Sequence, residues 1–241
     1  MKFLINTLAI WLITFGTLFG GNQSLTNFNQ SADAFLKKHV KNGKVDYKTL
    51  KNNFIEIDQL YQSLAGVNVN NLSKDEKMAF YINAYNIIVI RQITDYYPLK
   101  SALDKNGFFD KVKHKVGGEM LTLDQIEKGK VIIPFRDPRV HFAFSCAAIG
   151  CPELGDFAYT GANLDAKLNE RTMNSINNPD FIKVNSGENT VKLSMIFKWY
   201  EKDFTMKASD VLAYINDYRN QKIPSSYQVD FYPYDWSLNI Q

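Results

Sequence analysis

Both cysteines of this chain and one of its three histidines fall in one run, Arg139 to Leu154 (RVHFAFSCAAIGCPEL), so thiol or metal chemistry, if present, belongs there. Three arrangements of Cys146 and Cys151 compete. The first is a disulfide closing a short loop, worth roughly 2 kcal/mol by chain entropy and suited to an oxidising compartment. The second is a nucleophilic Cys146 whose thiol is activated by an imidazole within hydrogen-bond reach, His141 being the candidate base. The third is a zinc site built from His141, Cys146 and Cys151, for which the spacing is unorthodox and a fourth ligand is not evident. Val140 to Phe144 is rich in β-branched and aromatic residues and reads as a strand covered on both faces. On a straight strand His141 and Cys146 point to opposite faces, so a dyad requires a bend or bulge at Ser145-Cys146.

Asn83 and Asn86 lie three apart on one helix face. A buried amide must find partners, so each is expected to pin a loop or another side chain; the functional alternative is orientation of an imidazole or donation to an oxyanion. Glu127 is the acidic candidate nearest the cysteine run in sequence, and reads otherwise as an exposed helix residue. His39 and His114, among lysines, read as solvated. The aromatic groups Phe197 to Tyr200, Asp203-Phe204 and Tyr234 to Leu238 either line a pocket or close a core.

The elements that position these residues follow from periodicity and capping. Ala32 to Val40 and Tyr47 to Leu64 read as surface helices. Ser73-Lys-Asp-Glu76 is a capping box opening a helix that is apolar nearly all round, belongs in the core and ends near Tyr97 before Pro98. A Gly117-Gly118 turn precedes a short helix with Thr122 as N-cap. Leu164 to Ile176 reads as a helix, Phe181 to Val184 and Thr190 to Leu193 as a hairpin, Val211 to Tyr218 as a helix and Tyr227 to Tyr232 as a strand. Helices come early and strands late, so the expected fold is α+β, with several N-terminal helices around a core helix packed on a mainly antiparallel sheet.

At 241 residues and 45% hydrophobic content, a single domain over residues 31–241 is expected, after a flexible lead at 22–30. The net charge of +3 arises from dispersed acids and bases, which argues against nucleic acid as a partner. Met1 to Phe19, one lysine followed by an apolar stretch, reads as a signal segment ending by residue 21, with an uncleaved anchor as the alternative. The expected location is periplasmic or extracellular, or membrane-attached through that segment.

Several elements in order resemble the domain of unknown function 547 family. They are Val45-Asp-Tyr47, Phe80 to Asn83 with Tyr85-Asn86, Leu123-Asp-x-Ile-Glu127, Asp137 to Phe142 with Cys146 and Cys151-Pro152, Leu193-Ser194, Ile196-Phe197, Trp199-Tyr200, Asp203-Phe204 and Tyr234 to Asn239. The resemblance implies a shared fold and no agreed activity. It also shows one departure, Lys128, where many members carry His after the acid.

The leading expectation is thiol-dependent hydrolysis or acyl transfer at a peptide or amide bond. Cys146 would attack, His141 would take its proton, and Asn83, Asn86 and Glu127 would complete the site. The alternative is a non-catalytic binding or scaffold module of the cell envelope with a Cys146–Cys151 disulfide. The expected ligand is a small molecule or peptide, and no cofactor is expected.

Overall fold

The computed structural model describes residues 23–206 and 208–241. The signal segment expected at the N-terminus lies outside these residues. The fold is α+β, as the element order implied. The described residues open with α1 (Gln23–His39), which includes most of the segment expected to be a flexible lead. Leu25, Phe28, Ala32, Phe35, Leu36 and His39 are buried at near-helical spacing, so the Asn/Gln-rich face between them is simply the wet side. A tight turn joins β1 (Val40–Lys41) to β2 (Lys44–Val45). The helix expected from Tyr47 to Leu64 is broken at Asn53 into α2 (Tyr47–Asn52) and α3 (Phe54–Ser63).

The central element is α4 (Lys74–Tyr96), opened by the reciprocal bonds of Ser73 and Glu76. Every residue from Met78 to Ile90 is buried. The hairpin of β3 (His114–Val116) and β4 (Glu119–Leu121) turns through Gly117 and Gly118, both at positive φ, which glycine adopts without steric cost. Thr122 then accepts from the Gln125 N–H and begins a helical segment that widens to π geometry over Gln125–Ile132 and ends in α5 (Ile133–Phe135).

The segment read as a strand at Val140 to Phe144 is instead a 3-10 helix, Pro138–Phe142. Asp137 caps it by accepting from the Arg139 N–H, and Pro138 sits in its first turn, where its missing N–H costs nothing. An apolar run buried all round suits either structure, and this start signal decides between them. The alternation that separated His141 from Cys146 therefore does not apply.

Beyond the cysteines come α6 (Leu164–Asn177), β5 (Ile182–Asn185), β6 (Thr190–Leu193), α7 (Met195–Trp199), α8 (Glu201–Phe204), α9 (Val211–Tyr218) and β7 (Gln228–Phe231). β6 pairs antiparallel with β5 and parallel with β7. The single sheet expected is thus three small ones among the described residues, antiparallel but for the β6–β7 pair. Buried side chains form one cluster around α4 and a second among α6, the β5–β7 sheet, α7, α8 and α9. Val140, Ala143 and Phe144 belong to the first and Phe142 to the second, so the 3-10 helix and the residues just after it tie the two together.

Candidate functional site

Where the two clusters meet, a cleft of about 310 Å³ opens. Tyr85 of α4 and Phe144 form part of its lining, with ring centroids 4.8 Å apart edge to face. The π-helical segment supplies Glu127, the 3-10 helix His141, and the following loop Cys146, Cys151 and Pro152. The remaining lining includes Trp199 and Tyr200 at the end of α7 and Tyr234 and Trp236 of the C-terminal segment. Three of the five residues singled out from sequence, His141, Cys146 and Glu127, thus border one cavity.

Glu127 is buried, contrary to the exposed-helix reading. The wider π turn keeps Ile126, Glu127 and Val131 inward while Lys128 and Gly129 face out. Its Oε1 accepts from the Tyr200 hydroxyl at 2.7 Å. Burial pushes the Glu127 carboxyl above its ordinary range, opposed by this bond and by the nearby charges of His141 and Lys128. Tyr200 is held well above the usual phenol range by burial and by the Glu127 charge beside it. Lys128, at the position where the family resemblance marked a departure, pairs with Asp124 at 2.9 Å.

His141 is buried, and its Nε2 lies 2.9 Å from Asp203 Oδ2. The Tyr200 ring stacks on the imidazole at a centroid distance of 4.0 Å, and Phe204 packs at 5.3 Å. Glu127, Tyr200 and His141 thus line the cleft side by side, Tyr200 bonded to Glu127 and stacked on His141, with Asp203 holding the imidazole. A carboxylate on one imidazole nitrogen fixes tautomer and ring orientation, as a general base requires. A carboxyl with a raised pKa can complement it as a proton donor.

The sulfurs of Cys146 and Cys151 lie at disulfide distance, with Cα atoms 6.3 Å apart. The Cys146 N–H donates to Cys151 Sγ at 2.9 Å. The Tyr234 hydroxyl donates to Cys151 Sγ at 3.1 Å and is 3.2 Å from Cys146 Sγ. The loop is laced to the C-terminal segment: Ile149 N–H donates to Ser237 O and Gly150 N–H to Asp235 O, each at 2.8 Å. A Cβ at Gly150 would stand 3.0 Å from the Asp235 backbone, so a larger residue there would require that backbone to yield by a few tenths of an ångström. Among the described residues no group of three or more His, Cys, Asp and Glu is placed to hold a metal ion.

Asn83 and Asn86 serve the site from behind. Asn86 Nδ2 donates to Ala143 O and Asn86 Oδ1 accepts from Ser145 N–H, both at 2.9 Å, which pins the chain leading into Cys146. Asn83 holds Tyr159 in the same way, at 2.7 and 2.9 Å. No hydrogen bond from either amide reaches His141 or a sulfur; both amides grip backbone instead.

Sequence reasoning did not single out Asp203, Tyr200 or Tyr234 as site residues, although the aromatic groups containing them had been read as either pocket or core. They are both: Phe197 and Phe204 are core, while Trp199, Tyr200, Tyr234 and Trp236 line the cleft. The signal was the alternation of bulky apolar rings with polar-tipped ones. His39 and His114, read as solvated, are buried, His39 against Glu56 at 3.1 Å and His114 against the Tyr61 hydroxyl at 3.1 Å.

Searches of curated proteins and of solved structures find no match to this chain. A family model described as "Protein of unknown function, DUF547" matches residues 69–176, a stretch that includes α4, the π-helical segment with Glu127, the 3-10 helix with His141 and both cysteines. Over this stretch the chain is similar to the DUF547 family, in keeping with the resemblance read from its sequence.

Proposed function

We propose that the chain is an exported cell-envelope domain whose aromatic cleft binds a small molecule or peptide, with Cys146 and Cys151 joined as a structural disulfide in the cleft wall. The observation that carries this reading is the position of the two sulfurs, at disulfide distance in the place where a thiolate nucleophile would have to stand. An oxidised Cys146 cannot attack a carbonyl. The cleft suits binding: its volume fits a small ligand, its walls are largely aromatic, and a few polar groups converge in it.

The experiment is thiol counting by mass spectrometry on protein recovered from its native compartment without reductant. Two unreactive, paired sulfurs are expected. A free Cys146 that alkylates rapidly would overturn the assignment.

A second reading is thiol-dependent hydrolysis or acyl transfer at a peptide or amide bond. It is favoured by one observation: Cys146 borders the same cleft as His141, whose imidazole is already oriented by Asp203. Reduced protein would then be labelled at Cys146 by an electrophilic probe, and labelling would be lost in folded His141→Ala. Labelling that is unchanged in that variant would remove His141 as the base.

A further inference from the structure

A second and larger cavity, of about 820 Å³, shares Cys151 and Pro152 with the aromatic cleft, so the cysteine loop is a wall common to both. Its lining is rich in amides and charges where the first is aromatic. Within it, α6 presents Arg171, an unusual residue for a cavity wall because only 9% of its side chain is exposed. Buried guanidinium groups are normally paired through several of their five donors. Arg171 is not. Its Nη2 donates to the Glu153 backbone carbonyl, and the nearest carboxylate oxygen, Glu153 Oε2, stands 3.9 Å away. Its Nε is buried without a hydrogen-bond partner, and no bond joins Nη1 to any described residue.

Glu153 lines the same cavity, its side chain is 57% exposed, and its carboxylate makes no hydrogen bond among the described residues. It is therefore free to swing away from Arg171 at little cost. Asn42 and Asn174 also line the cavity with amides that no described residue engages. Lys44 and Lys183 offset the acids Asp180 and Asp235, so the lining as a whole favours neither sign of charge. The local demand at Arg171 is for an anion.

We propose that Arg171 anchors an anion site in this cavity, taking the carboxylate or phosphate group of a small polar ligand whose remaining polar atoms meet Asn42 and Asn174. Glu153 is the internal counter-ion that the ligand displaces. The planar fork of arginine matches both oxyanions in bidentate geometry, which is the shared chemistry of the two ligand sources. The site is independent of what the aromatic cleft binds.

The test is calorimetric titration of the full chain, at low ionic strength, with inorganic phosphate and separately with succinate. Saturable binding at one site is expected for at least one of them; phosphate alone identifies a phosphorylated ligand, and succinate alone a carboxylate. Glu153→Gln removes the competing charge and keeps the backbone bond to Arg171, so it should tighten binding several-fold. Arg171→Gln should weaken binding at least tenfold. Failure of both anions to saturate, or an affinity unchanged in Glu153→Gln, would overturn the proposal whether or not Arg171→Gln folds.

Discussion

Glu127 shows what burial costs a single side chain in the cleft. Its carboxyl is buried with a single hydrogen bond from Tyr200. Removing that donor in Tyr200→Phe should cost about 1–3 kcal/mol in urea unfolding, the range for stranding a buried polar group. The pH dependence has a definite sign. Because the folded carboxyl titrates above its ordinary 4.5, the unfolded chain loses its proton first, and this group's contribution to stability falls as pH rises from about that value through the raised folded one. Glu127→Gln should abolish that decline, as followed by urea midpoints at successive pH values. His114 works in the opposite sense. Burial, aided by the Arg91 charge, lowers it from 6.5 to about 4. Its contribution is complete above the unfolded value and is lost as pH falls through that window, roughly 3 kcal/mol at most. His114→Gln should flatten the acid limb of the stability profile. The burial of His114 was readable in principle, since β3 alternates inward His114, outward Lys115 and inward Val116. The neighbouring lysines obscured that pattern because charge describes only the face that carries it.

Among the elements, α4 acts as the rack on which the site is hung. Its capping box was legible because the four residues Ser73 to Glu76 contain the whole mechanism, and Ser73→Ala should cost about 1 kcal/mol in thermal or urea unfolding. Its two buried amides have wider reach. Asn86→Ala deletes both bonds to the Ala143–Ser145 backbone and should destabilise by about 2–4 kcal/mol. Faster amide hydrogen exchange at Ser145 and Cys146 would distinguish this local loosening from a general loss of stability. That these asparagines grip something was foreseeable from their burial. Which loops they grip was not, because the partners lie 57 to 76 residues away. The 3-10 helix at Pro138–Phe142 was misread for a different reason. Its composition favours a strand, and the Asp137-Pro138 start, a local signal already present, outweighs that preference.

Across the whole molecule, the α+β class and the helices α2 to α4, α6 and α9 followed from periodicity and capping, whereas the start of α1, the short α7 and α8, and the cleft did not. The cleft is assembled from the π-helical segment, the 3-10 helix, the cysteine loop, the end of α7 and the C-terminal segment, and no spacing rule connects pieces so far apart. The lacing of that last segment has a wider consequence. Tyr47 donates to Asn239 Oδ1 at 2.9 Å across 192 positions, Asn239 donates to Gly43 O, and Gln241 donates to His39 O across 202. The same stretch backs the cysteine loop, with Asn239 N–H donating to Ala147 O at 2.9 Å. During synthesis, therefore, α1 to α4 can emerge and collapse while the wall of both cavities still lacks its fastener. Pairings of such sequence separation form late and slowly. Until residues 238–241 have been made these bonds cannot form, so a ribosome-bound intermediate would carry the helical core with the wall shared by the two cavities unfastened.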